Sequence, residues 1–181
     1  ELAERTGIYN TLGFDLVAMV ADDLATAGFE STSISNIIDV DKLDRDIINS
    51  LMEGLSAACN FANMTVTGGE IAELGNRICG YGDKMHFNWC STAIGVLPEI
   101  LERPIDGSTI QPGDVVIALQ SRGFRSNGFS LLRKTMLANF GEEWHTEAYD
   151  ENKTWGEALL TPSLIYSPII NTIISEKIKN E

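Results

Sequence analysis

The sequence predicts an α+β protein with two lobes, and three observations lead to that prediction. The chain has 181 residues, which is enough for one large domain or two small ones. Segments rich in β-branched residues alternate with segments whose apolar residues recur at helical spacing, an order typical of α/β and α+β proteins. Turn-forming residues interrupt the chain over 98–112, so we expect one lobe over residues 1–105 and another over residues 106–181.

The first lobe contains five patterned segments. In residues 15–27 and 44–62 the apolar side chains recur every three or four positions, which predicts two helices. The other segments are rich in β-branched residues and predict strands over residues 32–40, 64–67 and 86–97.

The second lobe is predicted from four segments. Residues 114–119 form a continuous apolar run, which is typical of a strand that is buried on both faces. Residues 128–140 and 163–179 have helical spacing and predict two helices. Residues 141–157 are acidic and polar, so we expect a loop there.

The charge of the chain limits its partners. The net charge is −13, because 26 Asp and Glu residues outnumber 13 Lys and Arg residues. A field of that sign repels phosphate backbones and anionic lipids, so we expect no nucleic-acid and no membrane partner. A phosphorylated substrate would need a cation at its site, most simply Mg²⁺.

Three cysteines, Cys59, Cys79 and Cys90, give no paired spacing for a disulfide framework, and we expect a cytoplasmic protein. Cys79, His86 and Cys90 could supply three metal ligands on a folded-back loop. The simpler interpretation, two half-buried cysteines and a surface histidine, is favoured.

Two acidic segments are unusual for purely structural sequence. On a helix, Asp15 and Asp22 lie on nearly the same face, and Asp23 lies about 80° further round. These carboxylates form either a solvated helix face or part of a cation site. The second segment, 67–70, passes from a strand into Gly68, Gly69 and Glu70, which allows close backbone approach to a ligand or forms a plain turn.

A third segment, 121–128, lies between the predicted buried strand and the helix over 128–140. Ser126 or Asn127 would cap that helix, and the free N–H groups together with Arg122 and Arg125 would bind an anion. A simple helix cap explains the same residues equally well.

Taken together, these segments resemble one family. Residues 10–19 (NTLGFDLVAM) are similar to D-T-I-G-x-D-L-V-A-M, residues 22–24 to N-D-L, and residues 67–73 to G-G-E-T-A-E. Residues 123–133 (GFRSNGFSLLR) resemble G-x-H-S-N-G-Y-S-L-V-R, and residues 160–166 resemble L-x-P-T-R-I-Y. The family is aminoimidazole ribonucleotide synthetase, or phosphoribosylformylglycinamidine cyclo-ligase, of purine biosynthesis.

The chain departs from the family pattern at four of these positions. Asn10 replaces an Asp, Asp22 an Asn, Ile71 a Thr, and Arg125 a His. The family's D-G-x-G-T-K segment and H-x-T-G-G-G segment are also absent from this sequence, so we expect a fragment that lacks both ends. Because Asp22 is such a departure, we expect Asp22→Asn to cost little.

The resemblance implies a role for each matched residue. Asp23 and Glu70 would hold Mg²⁺, with Asp15 as the next candidate. Arg125 and Asn127 would act in catalysis, with Arg125 as an anion ligand rather than a general acid. Asp15, Asp23 and Glu70 would also bind ATP or phosphate. The other residues with this implied role are Thr67, Gly68, Gly69, Ser126 and Gly128.

The implied activity is ATP-dependent ring closure of formylglycinamidine ribonucleotide to aminoimidazole ribonucleotide. The implied architecture is an α+β synthetase in which the first lobe pairs in a homodimer across a shared barrel and the second lobe is an incomplete α/β lobe. Two other functions are open: a sibling ATP-dependent phosphotransferase such as thiamine-monophosphate kinase, and a non-catalytic relative.

Overall fold

The computed structural model describes residues 1–121 and 123–179. The helices and strands, in chain order, are α1 Leu2–Thr6, α2 Leu12–Thr26, β1 Glu30–Val40, α3 Arg45–Ala62, β2 Thr65–Glu73, β3 Phe87–Val96, α4 Phe129–Phe140, α5 Trp155–Leu159 and α6 Ser167–Lys179. Short 3₁₀ turns occupy Gly75–Arg77 and Trp144–Thr146. Within the described ranges we find no helix with the length and hydropathy of a membrane span.

The sheet has the strand order β2–β1–β3. Strand β1 pairs in parallel with β2 and antiparallel with β3, and α3 forms the crossover that a parallel pair requires. Alternate β1 residues point to opposite faces. Ile34, Ile38 and Val40 are buried against the helices, whereas Ile37 is 47% exposed on the other face, called here the open face.

Helices α2 and α3 cover the buried face and approach each other closely at two glycines. A Cβ atom on Gly13 would lie 2.2 Å from the backbone of Gly54, and a Cβ on Gly54 would lie 2.1 Å from Asn10 O.

Helix α3 begins where Asp44 caps it, since the Asp44 carboxylate accepts hydrogen bonds from Asp46 N at 3.0 Å and Ile47 N at 3.2 Å.

Three apolar clusters form the core. The first joins α2, α3 and β1, and the second joins β1 and α3 to Tyr9 and Met85. The third joins the start of the chain to its second half through Leu2, Met136, Trp144, Leu159 and Leu160. The elements predicted from helical and strand patterns in the first half are all present, and β2 is longer than predicted.

The prediction of a buried strand over 114–119 is wrong. These residues have no regular structure, and Val115, Val116 and Ile117 are 85%, 94% and 80% exposed. A strand needs a neighbouring strand for its backbone hydrogen bonds, and no described strand pairs with this segment. The apolar run therefore has strand propensity without a partner.

The prediction of a polar loop over 141–157 is also wrong in part. Trp144 and His145 are 1% and 6% exposed, because Trp144 packs in the third cluster. Helix α5 begins in the same stretch at a capping box, in which Thr154 and Glu157 bond reciprocally. The proposed division at residues 105/106 stays a prediction; it lies in a stretch, 97–128, whose described residues contain no helix or strand.

Candidate functional site

Helix α2 carries the three aspartates of the acidic segment, and each has a different environment. Asp15 and Asp22 are half-buried, whereas Asp23 is exposed. Ser163 Oγ donates a hydrogen bond of 2.5 Å to Asp15 Oδ1. Burial raises the pKa of the Asp15 carboxyl, and the Ser163 hydrogen bonds and the charge of Arg125 oppose this rise without cancelling it.

A cleft of about 390 Å³ opens beside Asp15, between α1 and α2 on one side and α4 and α5 on the other. Ser126 also lines this cleft, as do Arg133 and Glu1, which form an ion pair. The remaining walls are apolar and come from Leu2, Ala3, Leu12, Phe87, Phe129, Leu159 and Leu160. Mainly apolar walls with a few polar groups are typical of a small-molecule site.

Asp22 connects three segments that are distant in sequence. Its Oδ2 atom accepts a hydrogen bond from Arg125 Nη2 at 2.8 Å. Its Oδ1 atom accepts from Tyr166 N at 2.8 Å and from Ser167 N at 2.9 Å, at the start of α6. The expectation that Asp22→Asn has little effect was made from the sequence alone and did not take these three contacts into account.

Arg125 is held on the other side as well. Its Nη1 atom donates to Leu164 O at 2.7 Å, and its guanidinium carbon lies 5.2 Å from the centre of the Tyr166 ring. Because a guanidinium has five N–H donors, these contacts leave donors for an anion. The sequence assigned no role to Ser163, Leu164 or Tyr166, although they lie in the matched segment 160–166. A second signal was that Asp22 and Arg125 are departures of opposite charge.

Asp23 and Glu70 are separated by the sheet within one chain. Glu70 pairs in register with Ile37, so its side chain lies on the open face, whereas α2 packs on the buried face. Among the described residues no group of three or more His, Cys, Asp or Glu side chains could hold a metal ion. The Mg²⁺ ligands implied by the resemblance therefore do not assemble in a single copy of this chain.

The two glycines before Glu70 differ in the space that is available for a side chain. A Cβ atom on Gly69 would lie 2.9 Å from Asn36 Nδ2, in a half-buried pair where Trp89 Nε1 donates to Asn36 Oδ1 at 3.0 Å. A Cβ on Gly68 would contact only Ser35 Oγ at 3.6 Å. Gly69 thus makes room for the Asn36 side chain. Thr67, which precedes them, is exposed and lies within 3.3 Å of the Ser35 hydroxyl.

The prediction that Ser126 or Asn127 caps α4 is wrong. Gly128 is the N-cap residue, with φ 87°, and among the described residues no side chain caps the first turn. Ser126 faces the cleft instead, and Asn127 and Gly128 are exposed. Arg122, the other basic residue of this segment, lies outside the described residues.

The alternative metal set of Cys79, His86 and Cys90 is not assembled. His86 Nδ1 lies 3.0 Å from Asp41 Oδ2, and its Nε2 lies 3.1 Å from Gly82 O, so both ring nitrogens are engaged. Both cysteines are exposed rather than half-buried, and Cys90 lies on the open face opposite Ile37.

Comparison with known proteins gives one family. The profile described as "AIR synthase related protein, N-terminal domain" matches residues 6–97. A phosphoribosylformylglycinamidine cyclo-ligase of Carboxydothermus hydrogenoformans is 37% identical over 99% of this chain and 51% of its own length. The chain thus spans about half the length of the curated relatives it matches.

Two solved structures share the fold. The hydrogenase maturation protein HypE of E. coli has a TM-score of 0.56 with 16% identity, covering 90% of this chain and 43% of HypE. AaThiL complexed with AMPPCP and TMP has a TM-score of 0.51 with 14% identity, covering 93% of this chain and 47% of AaThiL. ThiL of Aquifex aeolicus is a thiamine monophosphate kinase. At these identities the likeness concerns the fold alone.

Proposed function

We infer the function from the premise that this chain belongs to the AIR synthase related protein family, through residues 6–97. We propose that the whole protein catalyses the ATP-dependent cyclisation of formylglycinamidine ribonucleotide to aminoimidazole ribonucleotide in the cytoplasm. The relative from Carboxydothermus hydrogenoformans supports this proposal by its name and its 37% identity.

One observation carries the proposal furthest: residues from two distant matched segments meet at one cleft. Asp15 comes from α2 and Ser126 from the segment before α4, and both line the same cleft. Arg125 is close enough to Asp15 for its charge to act on the pKa of the Asp15 carboxyl. Convergence of separate motifs on one concave site is typical of an active site.

The start of α4 is suited to a phosphate group. The first-turn N–H groups have no side-chain cap, and Gly128 brings no side chain that would block their approach. Such N–H groups, with the positive end of the helix dipole, favour an anion. We assign phosphate binding to Ser126 and Gly128, with Arg125 and Asn127 contacting the reacting groups of the substrate.

Nucleotide binding is assigned to the acidic and glycine segments. In this proposal ATP contacts Thr67, Gly68 and Gly69, and Asp15, Asp23 and Glu70 face its phosphates and Mg²⁺. The fold shared with AaThiL, which was determined with AMPPCP, is consistent with an ATP-using site. Mg²⁺ supplies charge neutralisation when it is bound.

A homodimer belongs to the same proposal. The open face carries Ile37, Ile94 and Val96, which are 47%, 63% and 57% exposed. Apolar side chains on an uncovered sheet face favour pairing with a second sheet. We propose that two copies pair through this face, which also carries Glu70.

The residues then act mainly by position and charge. In the proposed reaction ATP transfers its terminal phosphoryl group to the formyl amide oxygen and leaves as ADP. The amidine nitrogen then attacks the formyl carbon, and phosphate leaves as the ring closes. Arg125 and the N–H groups at the start of α4 neutralise charge on the departing phosphate. The cleft walls hold the two reacting groups of the substrate close together.

A second candidate is an ATP-dependent phosphotransferase, which the shared fold with AaThiL over 93% of this chain favours. Product analysis separates the two. The full-length protein is incubated with ATP and Mg²⁺, and with either formylglycinamidine ribonucleotide or thiamine monophosphate. The cyclo-ligase forms aminoimidazole ribonucleotide from the first substrate, whereas the phosphotransferase forms a diphosphate from the second. Nucleotide binding with neither product identifies a non-catalytic relative.

A further inference from the structure

Two of the departures from the family pattern contact each other. Asp22 stands where the pattern has Asn, and Arg125 stands where it has His. The two positions are 103 residues apart in the chain, and their side chains are joined by the 2.8 Å hydrogen bond from Arg125 Nη2 to Asp22 Oδ2. A neutral residue and a titratable residue are thus replaced by a pair of opposite charges at one point of contact.

This pair forms the centre of a larger connection, called here the Asp22–Arg125 clasp. The Asp22 carboxylate binds the backbone N–H groups of Tyr166 and Ser167, and the Arg125 guanidinium binds the Leu164 carbonyl oxygen. The Asp22 and Arg125 side chains are 15% and 34% exposed, so water screens their interaction only in part. The clasp therefore joins α2, the segment before α4 and the start of α6.

The clasp lies next to the cleft. Ser126, the neighbour of Arg125, lines the cleft wall, and Asp15 lines it from α2, two helical turns before Asp22. We propose that Asp22 is a positioning residue, which through its bonds to Arg125 and to the start of α6 fixes the cleft wall that carries Ser126. Thermal unfolding tests the contact between Asp22 and Arg125 without reference to the proposed function. Only the kinetic test rests on that function.

The substitution Asp22→Asn isolates the ionic part of the clasp. Asparagine keeps an Oδ1 acceptor for the N–H groups of Tyr166 and Ser167. It places an amide donor opposite the Arg125 guanidinium, which is itself only a donor, so the contact becomes unfavourable. Arg125→His added to Asp22→Asn supplies a side chain that can accept as well as donate, and so restores a compatible pair.

Thermal unfolding of the 181-residue chain measures this coupling in four proteins: the unchanged chain, Asp22→Asn, Arg125→His and the double variant. We expect each single substitution to lower Tm by about 3–8 °C. We expect the double variant to unfold no earlier than the less stable single variant. Glu53→Gln, which removes one charge from an exposed position of α3, is the matched control and should leave Tm unchanged within about 1 °C.

If the decrease in Tm of the double variant equals the sum of the two single decreases, Asp22 and Arg125 do not interact, and the proposal is wrong. If Asp22→Asn does not fold, Arg125→Lys decides, because lysine keeps the charge but cannot bond to Asp22 and Leu164 with a rigid fork. We expect Arg125→Lys to lower Tm measurably, and a Tm equal to that of the unchanged chain contradicts the proposal.

The kinetic measurement uses the full-length protein in the cyclisation assay. We expect Asp22→Asn to lower kcat about tenfold or more, with KM for ATP changed less than about twofold, because the residue positions and does not bind. An unchanged kcat in Asp22→Asn overturns the positioning role. If the unsubstituted protein forms no product, the proposed function fails, and the unfolding measurement still decides the clasp.

Discussion

Strand β1 and residues 114–119 are both rich in β-branched residues, yet only β1 forms part of a sheet. Ile34 and Ile38 are 1% exposed because two strands flank β1 and two helices cover it. Val116 is 94% exposed, since no described strand pairs with its segment. The difference shows that an apolar run sets the tendency to form a strand, while neighbouring strands decide whether a sheet forms.

The first prediction contrasts Leu51, in one of the helices that cover β1, with Val116 in the unpaired segment. Leu51 in α3 is 0% exposed, so Leu51→Ala leaves a cavity and should reduce the free energy of unfolding by about 2–5 kcal/mol. Val116→Ala removes a side chain that contacts mainly water and should change it by less than about 0.5 kcal/mol. Urea unfolding of the 181-residue chain measures both. Similar losses in the two variants would contradict the difference in packing between α3 and residues 114–119.

Two adjacent glycines of β2 should differ in the same way. Gly69→Ala places a Cβ atom against the Asn36 amide and disturbs its hydrogen bond with Trp89, so we expect a loss of about 1–2 kcal/mol in the free energy of unfolding. Gly68→Ala has room for its Cβ and is the matched control, with an expected change below about 0.5 kcal/mol. Equal losses would indicate that the two glycines serve the same purpose.

The elements that the sequence predicted correctly depend on local signals. Helix α3 is predicted over 44–62 from its apolar stripe and is found over Arg45–Ala62, because the residues of the stripe are close in sequence. The exposed run over 114–119 and the uncapped start of α4 were predicted wrongly, because neither a missing strand partner nor a backbone φ of 87° at Gly128 is visible in a residue pattern.

The candidate site was predictable in its residues and not in its contacts. Asp15 and Ser126 were identified from separate motifs, and the structure places both at one cleft. The bonds from Ser163 to Asp15 and from Arg125 to Asp22 join residues 148 and 103 positions apart. Local spacing carries no information about such pairs. The sheet that separates Asp23 from Glu70 could not be foreseen for the same reason.

Asp15 lines the cleft, and its ionisation should change the stability of the fold only slightly. Burial raises its folded-state pKa, so its contribution to stability is fully present below the unfolded pKa and is lost as pH rises through the folded pKa. Above the folded pKa the ionised carboxylate therefore destabilises the fold. Asp15→Asn keeps an acceptor for the Ser163 hydroxyl and should raise Tm at pH 7 by about 1–3 °C.

Differential scanning calorimetry at pH 7 and pH 4 checks this sign. The advantage of Asp15→Asn over the unchanged chain should be smaller at pH 4 than at pH 7, because the Asp15 carboxyl takes up its proton as pH falls through its folded pKa. An advantage that grows on acidification, or a lower Tm at pH 7, would show that the Asp15 carboxylate stabilises the fold. It would then be a structural group rather than one held at the cleft at a cost to stability.

The most direct test of the proposed function measures aminoimidazole ribonucleotide formed by the full-length protein from formylglycinamidine ribonucleotide, ATP and Mg²⁺. We expect product from the unsubstituted protein and from Glu53→Gln at equal rates. We expect a rate at least about 100-fold lower from Asp23→Asn. Because Asp23 is exposed, this substitution should leave Tm unchanged. Equal rates in Asp23→Asn and the unsubstituted protein, or no product from either, would contradict the account.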